Sequence, residues 1–89
     1  MSAKRSDGNQ SEISEALRAA GCTVFDTHEL GKGFPDIVVG LFGRNYLMEI
    51  KNGKGKLTEP EKKFFTNWTG QADVVRTVEE ALRVVGRLE

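Results

Sequence analysis

Histidine and cysteine are almost absent: the 89 residues hold one of each, His28 and Cys22. One cysteine excludes an intramolecular disulfide, and the pair excludes metal sites built from several such ligands. Any Ser-His or Cys-His chemistry would rest on His28 alone. An excess of one charge is lacking too. Thirteen Lys and Arg balance thirteen Asp and Glu, so bulk positive charge does not hold this chain to nucleic acid. An anion site has to come from a local cluster. No apolar run approaches the roughly 18 residues of a membrane span. Residues 1–11 are polar and lack the apolar stretch of a secretory signal, so a cytoplasmic setting is expected.

The length suits one small domain. A 9.8 kDa chain builds only a thin core, and dimerisation is a natural way to hide more apolar surface. Residues 1–8 read as a flexible N-terminal arm and residues 9–89 as a single domain. Residues 9–20 predict a first helix, with Ile13, Ala16, Leu17 and Ala20 on one stripe and Gly21 as its stop. Asn9 and Glu12 have capping-box spacing. Residues 22–28 predict a strand, and the glycines at 31 and 33 mark a loop. Pro35 opens a second strand over 36–40; a strand's first residue can spare its N–H. Residues 46–51 form a third, paired with it as a hairpin turning near Gly43-Arg44. A Gly/Lys loop over 52–56 leads to a helix over 58–69 that carries Phe64, Phe65 and Trp68 on one face. That face reads as core or dimer contact. A strand over 73–76 and a helix over 77–86, opened by the capping-box sequence Thr77-Val78-Glu79-Glu80 and striped by Ala81, Leu82, Val85 and Leu88, complete the order α-β-β-β-α-β-α, a mixed sheet flanked by helices in the α/β class.

Asp36, Glu49 and Lys51 stand out. A turn near Gly43-Arg44 pairs residues whose numbers sum to about 87, which sets Asp36 near Lys51 and Glu49 near Val38. Glu49 and Lys51 are two apart and share a strand face. A Glu between Met48 and Ile50 is costly unless paired or bound to a cation. Two close carboxylates suit Mg²⁺, which favours oxygen ligands and keeps several waters. A lysine beside them can hold such a water or stabilise a phosphoryl transition state, a combination suited to phosphodiester hydrolysis.

Pro35-Asp36, twelve residues, then Glu49-Ile50-Lys51 resembles the signature of the PD-(D/E)xK nucleases. Asn9-Gln10-Ser11-Glu12-Ile13, Gly33-Phe34-Pro35-Asp36-Ile37-Val38-Val39-Gly40, Asn45-Tyr46-Leu47-Met48-Glu49-Ile50-Lys51 and Leu57-Thr58 widen the likeness to the VRR-Nuc branch. The likeness runs over residues 7–86 and is to the small stand-alone members of phages and bacteria. It implies a restriction-endonuclease-like αβββαβ core plus a C-terminal helix. It also implies a metal-dependent DNA endonuclease using Mg²⁺, with Mn²⁺ as a substitute. By the resemblance, Asp36 and Glu49 are metal-binding acids and the carbonyl of Ile50 is a further ligand. Lys51 positions or activates the attacking water, and Glu12 contributes from the first helix through water. The branch has Gln where this chain has Glu61; a carboxylate there can still hold a water or ligate the metal as part of the catalytic set, and Thr58-x-x-Glu61 is also a capping box. The stand-alone members act as homodimers and cut branched DNA such as four-way junctions.

Lys54 and Lys56, directly after the Glu-x-Lys strand, are candidate phosphate contacts, as are Lys62 and Lys32; Lys63, Lys4 and Arg5 extend the basic stretch. The competing reading is a non-catalytic DNA-binding or oligomerisation module with the same fold.

Overall fold

A computed structural model describes residues 5–88 of the chain. The elements are α1 (Arg5–Ala19), β1 (Thr23–Asp26), a 3₁₀ turn (His28–Leu30), β2 (Ile37–Leu41), β3 (Arg44–Ile50), α2 (Glu59–Asn67), β4 (Asp73–Val75) and α3 (Val78–Val84). The sheet order is β1-β2-β3-β4. The first three strands are antiparallel, and β4 runs parallel to β3 after the α2 crossover. This is the mixed sheet with flanking helices that the sequence predicts. No described helix is long and apolar enough to cross a membrane.

One face of the sheet builds the core. Alternation along the strands aims Ile37 and Val39 of β2, Met48 of β3 and Val75 of β4 at it. Ile13 and Leu17 of α1 meet them from above, with Ala81 and Val85 from the α3 end. Ile13 and Leu17 are fully buried, a contribution of about 1.5–3 kcal/mol each. Cys22 is part of this core, and burial pushes its thiol pKa up.

Several expectations change. Helix α1 begins at Arg5, so the arm expected over residues 1–8 is helical in its second half; residues 1–4, Lys4 among them, lie outside the described residues. Arg5-Ser6-Asp7-Gly8 carry no apolar period, so the pattern could not reveal them. They extend a helix nucleated by the packed turns that follow. Asn9 is therefore inside the helix and caps nothing.

The hairpin turn is Phe42-Gly43, with φ of 51° and 80°, a two-residue loop whose twist suits the strands. Leu41 faces Arg44 and Ile37 faces Met48, so paired numbers sum to 85 rather than 87. The two-residue slip leaves every side chain on its expected face. It brings Asp36 level with Glu49 and leaves Val38 opposite Leu47.

Helix α2 starts in a complete capping box. The Thr58 hydroxyl accepts from the Glu61 N–H, and a Glu61 oxygen accepts from the Thr58 N–H. It ends at Trp68, and it buries no residue. Phe64, Phe65 and Trp68 stay out of the core, gathering instead with Phe34 from the loop before β2. At α3 only half of the expected box forms. Thr77 accepts from the Glu80 N–H, while Glu80 reaches back to the N–H of Arg76.

Candidate active site

The face of the sheet away from the core carries Asp36, Glu49 and Lys51, at the end of β2 and β3 remote from the hairpin turn. Asp36 is held by both neighbours. Its main-chain carbonyl accepts from the Thr27 N–H at 2.9 Å, and its Oδ2 accepts from the Ile50 N–H at 2.8 Å. The hydroxyl of buried Thr27 donates to the Pro35 carbonyl at 2.7 Å. Pro35 has a second effect. Continuing the β2–β3 register by two residues sets it opposite Ile50, and proline has no N–H to donate. The Ile50 carbonyl thus gets no ladder bond from that position.

Glu49 is only 2% exposed. Burial, then the Asp36 and Glu61 carboxylates, push its pKa up to about 8, and Lys51 offsets only part of this. Burial also lifts Asp36 above its ordinary range, against the opposing Ile50 N–H. Lys51 Nζ lies 2.8 Å from Glu61 Oε1 and 3.6 Å from Glu49 Oε2. Burial opposes its charge, but these two acids outweigh burial and hold its pKa above the usual lysine value. Burial alone would raise Glu61; the Lys51 ammonium and the Thr58 N–H pull it below the ordinary glutamate value instead. Without a further cation the site therefore settles as a protonated Glu49 beside an ionised Lys51–Glu61 pair.

Glu61 caps α2 as its spacing to Thr58 predicts, and the same Oε1 holds Lys51. Glu12 is exposed on α1, three residues after Asn9, and no direct hydrogen bond or ion pair joins it to Asp36, Glu49 or Lys51. The α1 residue in direct contact is Asn9, whose Nδ2 donates to the Lys51 carbonyl at 3.1 Å. Its spacing to Glu12 disguises it as a cap. Thr27 is the other contributor that sequence reasoning misses; nothing local marks a strand-end Thr as the clamp on Pro35-Asp36.

Among the basic candidates, Lys54 and Lys56 are exposed on a loop pinned by Arg76, whose Nη1 donates to the carbonyls of Gly53 and Gly55 at 2.8 Å. Lys62 pairs with Glu59 at 3.2 Å. Lys32 is exposed on the loop leading to Phe34.

Among the described residues, no three or more His, Cys, Asp or Glu side chains are grouped to hold a metal ion. Two carboxylates do meet, and they are short of positive charge: Glu49 keeps a proton to about pH 8. That donor set fits Mg²⁺, which commonly takes one or two carboxylates and fills its shell with water. A divalent cation would replace the proton.

No family model and no curated protein matches the chain. A solved structure described as a VRR_NUC domain matches 93% of this chain and 96% of its own, with a TM-score of 0.70 and 22% identity. The chain has the fold of that domain, a small restriction-endonuclease-like α/β architecture.

Proposed function

We propose that the chain sharing this VRR_NUC fold is a divalent-cation-dependent endonuclease that hydrolyses DNA phosphodiesters. The observation that carries the reading is Glu49, a carboxylate sealed into the sheet beside Asp36, with its pKa pushed up to about 8. A fold gains no stability from that arrangement; a site that takes up a cation does. Asp36, Glu49 and the Ile50 carbonyl would hold Mg²⁺ or Mn²⁺. When bound, the cation neutralises charge on the phosphoryl group and makes water a better nucleophile. Lys51 carries the remaining chemistry. Glu61 keeps its ammonium charged and aimed at Glu49, where it can hold a water or meet negative charge growing on the phosphate. Asn9 fixes the main chain of Lys51 from α1. The reading extends to branched DNA cut by a homodimer, since paired cuts in a near-symmetric junction call for two sites related by a two-fold axis.

The test is cleavage of linear duplex, single strand, flap and four-way junction in Mg²⁺, Mn²⁺ or EDTA, with Asp36→Asn as control. Asn keeps an oxygen for the Ile50 N–H, whereas Ala would leave that half-buried donor unmatched at about 1–3 kcal/mol. Metal-dependent cutting that Asp36→Asn abolishes is expected, with paired nicks in the junction. No cutting of any substrate by a folded protein that still binds DNA would replace this reading with the binding module.

A further inference from the structure

The aromatic face of α2 is left unpartnered on one side. Phe34 and Phe64 lie with ring centroids 5.5 Å apart, Phe64 and Trp68 4.9 Å apart, and Phe34 meets Trp68 edge-on at 6.4 Å. They line a groove with Leu30 and Pro60, and Trp68 is 44% exposed. Its volume is about 1270 Å³, above the roughly 300–1,000 Å³ of small-molecule pockets. It is open along its length, so it suits a stretch of polymer. The rim is basic: Lys32, Lys62 and Lys63 border it against one acid, Glu59, which Lys62 already pairs.

The groove's walls are chain neighbours of the candidate active site. Phe34 is two residues before Asp36, and Pro60 precedes Glu61, which holds Lys51. Gly33 locks the two walls together; a Cβ there would overlap the Pro60 carbonyl. Half-exposed aromatics between lysines are the composition that binds unpaired nucleotides, rings stacking on bases while ammonium groups meet phosphates. A second copy fits less well, because two such grooves facing across a two-fold axis would oppose lysine with lysine.

We propose that this groove is a stacking subsite for unpaired nucleotides of the DNA strand that enters the active site. The proposal rests on the nuclease reading above and deepens it: a strand that must offer unstacked bases beside the scissile phosphate is found at a branch or flap and not in continuous duplex.

Trp68 is the chain's sole tryptophan, so its fluorescence reports on the groove. The probe is a five-nucleotide oligothymidylate titrated in EDTA at low salt into the full chain. Saturable quenching is expected, weakened about tenfold by Lys32→Glu and by Lys63→Glu and steeply by added salt. Phe34→Leu should weaken it about threefold or more. Lys32 and Lys63 are exposed, so those two substitutions test the groove even if Phe34→Leu disturbs folding. No quenching, or quenching indifferent to both lysine substitutions, overturns the proposal. So does Trp68 emission that changes on dilution of the protein alone, which would give the groove to a second copy. Quenching without cleavage in Mg²⁺ keeps the groove and removes the nuclease reading; cleavage without quenching does the reverse.

Discussion

Glu49→Gln should make the metal-free protein more stable while abolishing cleavage. Glu49 holds its proton to about pH 8, where the unfolded chain releases it near 4.5. Between these values the native state binds more protons than the unfolded state, so stability falls as pH rises through the window and levels off above pH 8. The cost at pH 7 is about 3 kcal/mol, and at pH 5 about 1 kcal/mol. The raised Asp36 acts in the same direction. The lowered Glu61 acts oppositely, but its contribution is lost only as pH falls below its ordinary value of 4.5. The raised Lys51 contributes stability that is lost only above its ordinary 10.5. The neutral window therefore belongs to the two buried carboxylates, Glu49 foremost. Gln has its shape, no charge, and an NH₂ that can donate to the neighbouring carboxylates. Urea unfolding followed by far-UV circular dichroism, in EDTA at pH 5, 6, 7 and 8, checks this. Wild-type stability should fall across the series and the variant's should stay nearly level, ahead by up to about 4 kcal/mol at pH 8. In thermal melts that is a gain of roughly 15–30 °C. Added Mg²⁺ should stabilise only the wild type, by mass action. A wild type whose stability is flat or rises from pH 5 to 8, or a variant weaker than wild type at pH 8, would refute the reasoning.

Three other substitutions probe the frame of the site. Gly33→Ala should push α2 off the loop, since its Cβ would meet the Pro60 carbonyl and φ is 81°; a loss of about 2 kcal/mol or more in urea and reduced turnover are expected, and a neutral result would show that the two walls are not locked. Phe42→Asn should stabilise by about 1 kcal/mol, because an exposed Phe at φ 51° occupies a turn position that favours Asn before Gly; the Arg87 guanidinium 5.6 Å from its ring offsets part of the gain, and a lower unfolding midpoint would count against the turn assignment. Glu61→Gln should change stability by less than about 1 kcal/mol, since Gln keeps the capping box, while cleavage loses activity at lower pH on its alkaline side because Lys51 has lost its nearest carboxylate; unchanged alkaline behaviour would show that Glu61 does not hold the lysine charged.

The chain's chemistry was written in its order. Pro35-Asp36 and Glu49-Ile50-Lys51 are local, and the period of two along a strand fixes which of their side chains share a face whatever the exact register. Apolar stripes announced α1 and α3, and Thr58-x-x-Glu61 announced the start of α2, because capping and amphipathic packing act over three or four residues. Partners distant in sequence were decided only by folding. The slip of the hairpin to Phe42-Gly43 set Asp36 against Glu49, since the loop's backbone twist must match the strands. The polar first turn of α1 had no pattern to betray it, yet Asn9 reaches Lys51 across 42 positions. Phe64 and Trp68 read as core or dimer contact because periodicity records a face but not what covers it. The tertiary structure left that face half open beside the acids, and burial, which no local pattern measures, gave Glu49 its charge state.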